Sequence, residues 1–161
     1  YPLLVLRREA DYLRRGLRPE LAVRLEISEQ KALFEDLVSR IVEVEPKVPR
    51  DAMLKELIDR EQVWPTALGH GIAVPHAYCR ALTSRICAVA QVPGGVDFKA
   101  PDGEKVRLVF LLLSPQGDPE GHLATMAEIA RLVGDPEVRD SLLSAQGPED
   151  LLARLRTAAP A

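Results

Sequence analysis

REQVWPTALGHGIAVPH, residues 60–76, combines an Arg-Glu pair, a glycine-bracketed apolar run and a histidine that follows a proline. The apolar residues 72–74 are typical of a short buried strand. The two glycines before them allow a tight turn or a close approach of the backbone, and Pro75 ends the strand's pairing. The pattern predicts that the His76 imidazole is held at a strand end, where histidine can act as a base, a metal ligand or a nucleophile.

Length and composition indicate one globular domain. The chain has 161 residues, of which 47% are hydrophobic and 28% are charged, enough for a real core. The net charge of −3 gives no cationic field that would favour nucleic acid or an anionic membrane. The longest apolar run, residues 108–113, is too short to cross a bilayer, and no signal peptide is visible. Cys79 and Cys87 lack metal-like spacing and are interpreted as reduced thiols, so a cytoplasmic protein is expected.

The first part of the chain predicts helices around one strand. Residues 1–20 are expected to form a helical extension, and the alternating pattern of residues 21–27 predicts a half-buried strand at a sheet edge. Ser28 is expected to cap a helix that ends near residue 44. Asp51 is expected to cap the next helix, whose last turn carries Arg60 and Glu61.

The second part predicts the central sheet and the final helices. Residues 84–92 and 96–98 are expected to be separate strands, divided by Pro-Gly-Gly, and residues 77–83 a connection. The nearly continuous apolar run from residue 106 to 113 predicts a central strand covered on both faces. After a polar loop, His122 is expected to begin a helix whose inner face includes Leu123, Met126, Ile129, Ala130 and Val133. Two shorter helices should follow, at about residues 137–144 and from residue 149 to 155.

The pattern R-E-x(4)-T-x-x-G-x-G-I-A-x-P-H resembles enzyme IIA of the bacterial phosphoenolpyruvate-dependent phosphotransferase system. The resemblance is to the fructose/mannitol type, which includes the nitrogen-regulatory IIA proteins. A second motif of that family, H-L-x-x-[LM], matches residues 122–126, HLATM. The resemblance implies a single α/β domain over residues 21–158, with a mixed sheet and helices on both faces. It also implies no cofactor and no metal.

Four site residues follow from the resemblance. His76 would carry the phosphoryl group, which needs a neutral imidazole nitrogen as nucleophile. The Arg60 guanidinium offers a fork of donors matched to phosphate oxygens, although it could instead be an ordinary helix-end arginine that faces solvent or pairs with Glu61. His122, at a helix N-terminus, would remain neutral and hydrogen-bond the phosphoryl group, or be a surface cap. Thr66 could hydrogen-bond the phosphoryl group or the ring.

Two further positions near His76 are interpreted differently. His70 occupies a variable position of the motif and is expected in a surface loop. Trp64 and Pro65 replace a glycine and a serine that usually precede the family's threonine, which puts the role of that serine in doubt. Trp64 is either a rim residue suited to a protein interface or a core residue.

The resemblance implies a phosphoryl carrier. It would accept the group from phospho-HPr, or its nitrogen-regulatory counterpart, and pass it to a IIB domain or keep it as a regulatory mark. The alternative is a non-transferring regulatory module that binds a transporter, channel or kinase, possibly as part of a larger protein. A metal hydrolase that uses the three histidines is disfavoured, because no H-E-x-x-H or comparable ligand pair exists.

Overall fold

Residues 12–158 are the part of the chain that this computed structural model describes. They form a mixed six-stranded sheet with helices on both faces. Its strands are β1 (Leu17–Arg24), β2 (Ala67–Gly69), β3 (Ile72–Ala73), β4 (His76–Cys79), β5 (Ile86–Val96) and β6 (Val106–Pro115). Its longer helices are α1 (Gln30–Val44), α2 (Arg50–Val63), α3 (Pro119–Gly134), α4 (Pro136–Leu143) and α5 (Pro148–Ala158). Residues 12–16 are also helical.

β6 is the central strand of the sheet. The strand order is β1-β5-β6-β3-β2, and β4 pairs with β6 beyond the end of β3. β6 runs antiparallel to β5 and parallel to both β3 and β4. All its residues except Arg107 are buried, because side chains of alternating residues face a hydrophobic core on each side. The prediction of a central strand covered on both faces is confirmed.

The two cores differ in the helices that cover them. α1 and α2 cover one face, and the apolar side of α1, which the sequence predicts, is fully buried. Phe34 of α1 meets Phe98 edge to face, with ring centroids 5.9 Å apart. α3, α4 and α5 cover the other face. Both histidine-bearing elements, β4 and α3, are thus supported by the same central strand. No helix within residues 12–158 is long and apolar enough to cross a membrane.

The strands differ from prediction at three places. β1 lies at a sheet edge as expected, but it starts at Leu17 and ends at Arg24. β5 continues through Pro-Gly-Gly to Val96 instead of stopping, because pairing between Val96 and Val106 extends the ladder past a register shift. β4 occupies part of the predicted connection, since His76 and the following residues pair with β6.

The helices also differ from prediction at their starts. Neither Ser28 nor Asp51 is a cap: the N-cap positions are Glu29 and Pro49, and neither gives a side-chain cap hydrogen bond. α3 begins three residues before His122, after an N-cap at Asp118. Of its predicted inner face, Ile129 and Val133 are buried and Met126 is half-buried, but Leu123 and Ala130 are exposed. Most of the predicted N-terminal extension, residues 1–11, lies outside the described residues.

A two-residue turn joins β2 to β3 and leads the chain toward His76. The backbone is left-handed at Gly69, His70 and Gly71, with φ of 87°, 57° and 83°, as such a hairpin turn requires. Asp102 fixes the turn, since its Oδ2 accepts a hydrogen bond of 2.8 Å from the backbone N–H of His70. His70 is exposed, as its assignment to a surface loop predicts.

Candidate functional site

His76 is the first residue of β4 and pairs with Leu112 at the middle of the sheet. Its Nδ1 lies 2.8 Å from the carbonyl oxygen of Val74. A carbonyl can only accept, so Nδ1 carries a proton, and the lone pair of the neutral ring is on Nε2. The half-buried ring is therefore held in one tautomer with Nε2 as its nucleophilic atom.

His122 is held in the opposite tautomer. Its Nδ1 lies 2.7 Å from Oγ of Ser114, a fully buried residue of β6. No other residue in the described part of the chain accepts the Ser114 hydroxyl proton. If the ring donated to Ser114, that proton would be buried without a partner, at a cost in free energy. Ser114 therefore donates to Nδ1, and the proton of the neutral His122 ring is on Nε2.

The His122 ring is neutral at pH 7. Burial is the main reason that its pKa is lowered to about 4; the interactions with His76, Arg60 and Arg85 also lower it, while Asp118 raises it. The position of His122 in the sequence predicts a neutral ring through the helix dipole, whereas burial is the largest cause. A neutral ring with its proton on Nε2 is a hydrogen-bond donor that adds no net charge.

The structure brings the two predicted histidines together. Their ring centroids lie 5.3 Å apart, and the planes are inclined by 58°. Tyr78 packs on the ring of His122, and the centroids of these two rings lie 4.4 Å apart. Tyr78 is not among the residues predicted from the sequence, although residues two apart in a strand share a face, and this period could place it beside His76.

Arg60 lies in the last turn of α2, as predicted, with 43% of its side chain exposed. It pairs with Glu56, one turn earlier, at 2.7 Å from Nε to Oε1, and not with Glu61. This is its one hydrogen bond in the described part of the chain, so the two Nη atoms stay available. Arg60 and Tyr78 also line a cleft of about 430 Å³. The guanidinium is thus close enough to act on the His122 pKa and free to bind an anion.

Thr66 is not directed at the imidazole. Its hydroxyl donates to Oε1 of Glu61 at 2.5 Å, and its N–H donates to Oε2 at 2.7 Å. Burial raises the pKa of Glu61, while these hydrogen bonds and the neighbouring His76 lower it. The carbonyl of Thr66 in turn accepts from the N–H of Val74 at 3.1 Å. Glu61, whose role is not predicted from the sequence, therefore fixes the loop that flanks the strand leading to His76.

An ion pair holds the N-terminal end of α3, the helix that carries His122. Arg85, which is almost buried, contacts Asp118 at 2.5 Å from Nη1 to Oδ2. Asp118 caps α3, since its Oδ1 accepts a hydrogen bond of 3.0 Å from the N–H of Gly121. A Cβ atom at Gly121 would overlap both side chains. Only glycine fits at this position without displacing the ion pair.

Large apolar side chains are exposed between the end of α2 and β2, and beside His122. They are Val63, Trp64, Leu68 and Leu123. Trp64 is 76% exposed, so its assignment to the rim agrees with the structure and its assignment to the core does not. Cys79 and Cys87 are free and buried. Within residues 12–158, no cluster of three or more His, Cys, Asp or Glu side chains could hold a metal ion.

Sequence comparison matches this chain to one family over nearly its whole described length. The model described as phosphoenolpyruvate-dependent sugar phosphotransferase system, EIIA 2, matches residues 17–158. A nitrogen regulatory protein of Pseudomonas aeruginosa is 34% identical over 122 residues, which cover 76% of this chain and 79% of the relative. The fructose-specific EIIA component of the PTS system of Haloferax volcanii is 35% identical over 109 residues, covering 66% of this chain and 71% of the relative.

Solved structures share the fold. The nitrogen regulatory protein IIA-Ntr from Neisseria meningitidis superposes with a TM-score of 0.79 at 28% identity, covering 87% of this chain and 96% of the other. Enzyme IIA of the mannitol system from Escherichia coli, solved in complex with phosphorylated enzyme IIB, gives a TM-score of 0.72 at 18% identity, covering 88% of this chain and 99% of the other. At that identity the second likeness shows the fold alone.

Proposed function

The chain belongs to the EIIA 2 family of the phosphoenolpyruvate-dependent sugar phosphotransferase system, and from this premise we propose that His76 is its phosphoryl acceptor. The donor is a phosphohistidine on HPr or on its nitrogen-regulatory counterpart, and the reaction takes place in the cytoplasm. One observation carries the assignment. The Nδ1–H of His76 donates to the Val74 carbonyl, which leaves the Nε2 lone pair as nucleophile, and the His122 ring lies 5.3 Å away as a donor.

The transfer balances without a co-reactant. The Nε2 lone pair of His76 forms a bond to phosphorus, while the bond from phosphorus to the donor's ring nitrogen breaks and its electron pair returns to that ring. The His76 ring keeps its Nδ1 proton and gains positive charge, which the Val74 carbonyl oxygen stabilises through the same hydrogen bond. The donor ring gives up an equivalent charge, so no proton has to leave the site.

The neighbouring side chains bind the oxygens of the transferred group. Nε2–H of His122 donates to one oxygen, and the free Nη atoms of Arg60 donate to the others. We assign Thr66 to positioning, because its hydroxyl and its N–H are both bonded to Glu61. Each charge-assisted contact contributes about 1.5–3 kcal/mol, which corresponds to roughly ten- to hundredfold in rate.

The outgoing partner is a IIB domain or a regulatory target. The nitrogen regulatory relatives support a regulatory mark, and the fructose-specific relative supports sugar transport. A pull-down from lysate with phosphorylated and unphosphorylated chain separates the two. Regulation predicts a partner that prefers one form, whereas transport predicts a cognate IIB that rapidly removes the phosphoryl group.

The acceptor assignment is tested by incubating the chain with phosphoenolpyruvate, enzyme I and HPr. The expected product carries an acid-labile, base-stable label, as a phosphoramidate does. His76→Ala should abolish labelling, while Arg60→Ala and His122→Ala slow it. His70→Asn is the matched control, because asparagine tolerates the left-handed backbone at that exposed position. Labelling that survives in His76→Ala would show that another residue is the acceptor.

A further inference from the structure

A second cavity, of about 280 Å³, lies on the sheet face that α3, α4 and α5 cover, away from the two histidines. Three neighbouring strands contribute to it: β1 through Arg24, β5 through Gln91 and β6 through Arg107. The loop between α4 and α5, residues 144–146, closes one side. Gln91 pairs with Leu108, while His76 pairs with Leu112. Four residues along β6 separate the cavity from the imidazole by roughly 13 Å in the strand direction, and Gln91 and His76 also lie on opposite sides of β6.

A bulge at the start of β6 turns Arg107 toward this cavity. The N–H groups of Arg107 and Leu108 both donate to the carbonyl of Gly71, at 2.8 and 3.0 Å. Val106 and Val109 face one core and Leu108 faces the other, so the alternation of faces is broken between Arg107 and Leu108. The bulge therefore places Arg107 on the face of Leu108 and Gln91. Bulges that redirect a side chain recur beside binding sites.

The two arginines of the cavity have no counter-charge. Neither Arg24 nor Arg107 forms a hydrogen bond or an ion pair in the described part of the chain, and no carboxylate lines the cavity. Arg24 stands directly beside Gln91 in the ladder between β1 and β5. Two guanidinium groups that line one cavity repel each other, and an anion that accepts from both removes this repulsion.

Gln91 adds a requirement for a hydrogen-bond donor. Its side chain is 4% exposed, and its Nε2 donates to the Ala145 carbonyl at 2.8 Å, which fixes the orientation of the amide. The remaining atom, Oε1, is buried and accepts no hydrogen bond within residues 12–158. A buried acceptor without a donor costs free energy, and a hydroxyl group beside the anion would supply that donor.

We propose that this cavity, formed by Arg24, Gln91 and Arg107, binds a small phosphate monoester that carries a hydroxyl group. The tetrahedral phosphate accepts from two guanidinium forks that come from different strands, and the hydroxyl donates to Gln91 Oε1. The volume limits the ligand to a few carbon atoms beyond the phosphate. The proposal is independent of phosphoryl transfer at His76.

Glycerol 3-phosphate is the test probe, added to the full chain while amide signals are followed by NMR. Saturable shifts are expected at Gln91, Leu108 and Ala145. Arg24→Gln and Arg107→Gln should each weaken binding at least tenfold without unfolding the chain, since both side chains are exposed. Arg131→Gln, at an exposed arginine of α3 outside the cavity, is the control and should bind as the wild type does.

Three results would overturn the proposal. The first is unchanged affinity in the Arg24→Gln/Arg107→Gln double variant. The second is a set of shifts confined to the surroundings of His76, which would place the phosphate on the transfer site. The third is equally tight binding of glycerol or succinate, because then neither the phosphate nor its charge would be recognised. If the double variant loses binding but His76 is still labelled as in the wild type, ligand binding in the cavity is independent of phosphoryl transfer at His76.

Discussion

The Ser114 hydroxyl lies 2.7 Å from Nδ1 of His122 and is its fixed hydrogen-bond donor within the sheet. Ser114→Ala removes this donor, so the His122 ring can place its proton on either nitrogen and donates less often to the transferred group. We expect phosphoryl transfer to slow by roughly two- to tenfold, and stability to fall by about 1 kcal/mol. Ring ¹⁵N shifts of His122 should change from one tautomer to a mixture. Ser84→Ala, at an exposed serine, is the control. An unchanged ring spectrum in Ser114→Ala would contradict the donor assignment.

Burial of His122 makes stability depend on pH. The pKa is about 4 in the folded chain, against an ordinary value of 6.5. Between these values the unfolded chain binds a proton that the folded chain does not, so stability falls as pH decreases from 6.5 to 4. The loss attributable to His122 is about 3 kcal/mol when complete. Urea unfolding of wild type and His122→Asn across this range should show a flatter profile in the variant. Parallel profiles would mean that the ring is not kept neutral.

The carboxylate of Glu61, which holds the loop at Thr66 near His76, should make the phosphorylated form less stable. Its negative charge repels the phosphoryl group, at a cost of about 1 kcal/mol. Glu61→Gln keeps the shape and can still bond to both groups of Thr66, so the loop should stay in place. The phosphorylated variant should therefore lose its label several-fold more slowly. Glu149→Gln, on α5, serves as the matched charge change elsewhere. A label that is lost faster in Glu61→Gln would reverse the sign of this electrostatic effect.

Trp64 should act as an anchor for the carrier protein. Its exposure of 76% predicts red-shifted fluorescence that changes when HPr binds. Trp64→Gly should weaken HPr binding while the melting temperature hardly moves, since little buried area is lost. Emission that does not respond to HPr, combined with unchanged affinity in the variant, would remove Trp64 from the interface.

Gly121 and Gly117 offer a matched pair of glycine substitutions. Gly121→Ala introduces a Cβ atom that overlaps Arg85 and Asp118, whereas Gly117 has open space around the same atom. The first variant should lose the cap of α3 and about 0.5–2 kcal/mol of stability, and transfer should slow because His122 shifts. Gly117→Ala should match the wild type in both melting temperature and transfer rate. Equal behaviour of the two variants would show that the ion pair does not set the position of α3.

The sequence predicts the candidate site residues but not the residues that hold them in position. His76, His122 and Arg60 lie in motifs, and the structure gathers them at one end of β6. Ser114 could not be predicted, because it meets His122 only through the packing of α3 on the sheet. The role of Glu61 is not predicted, because its partner, Thr66, lies beyond a proline, where local spacing gives no guide.

The boundary errors have physical causes of the same kind. The predicted start of α3 is too late, because the polar residues before His122 resemble a loop. Asp118 followed by a proline is in fact a signal for an N-cap and the first helical position. β5 passes through Pro-Gly-Gly because its ladder with β6 outweighs the local preference for a turn. Residues 1–11 lie outside the description, so the predicted extension there stays a prediction.

β6 aligns the rings of His76 and His122. His76 pairs with it through β4, and His122 is tied to it through Ser114. Thermal sliding or bending of this one strand therefore moves the two imidazoles in the same direction. The distance between the two rings changes little in such fluctuations. Arg60 stands on α2, across the opposite core, and has no such tether. Between the phosphorylated and unphosphorylated states, the position of the Arg60 guanidinium should therefore change, while the distance between the two imidazoles stays the same.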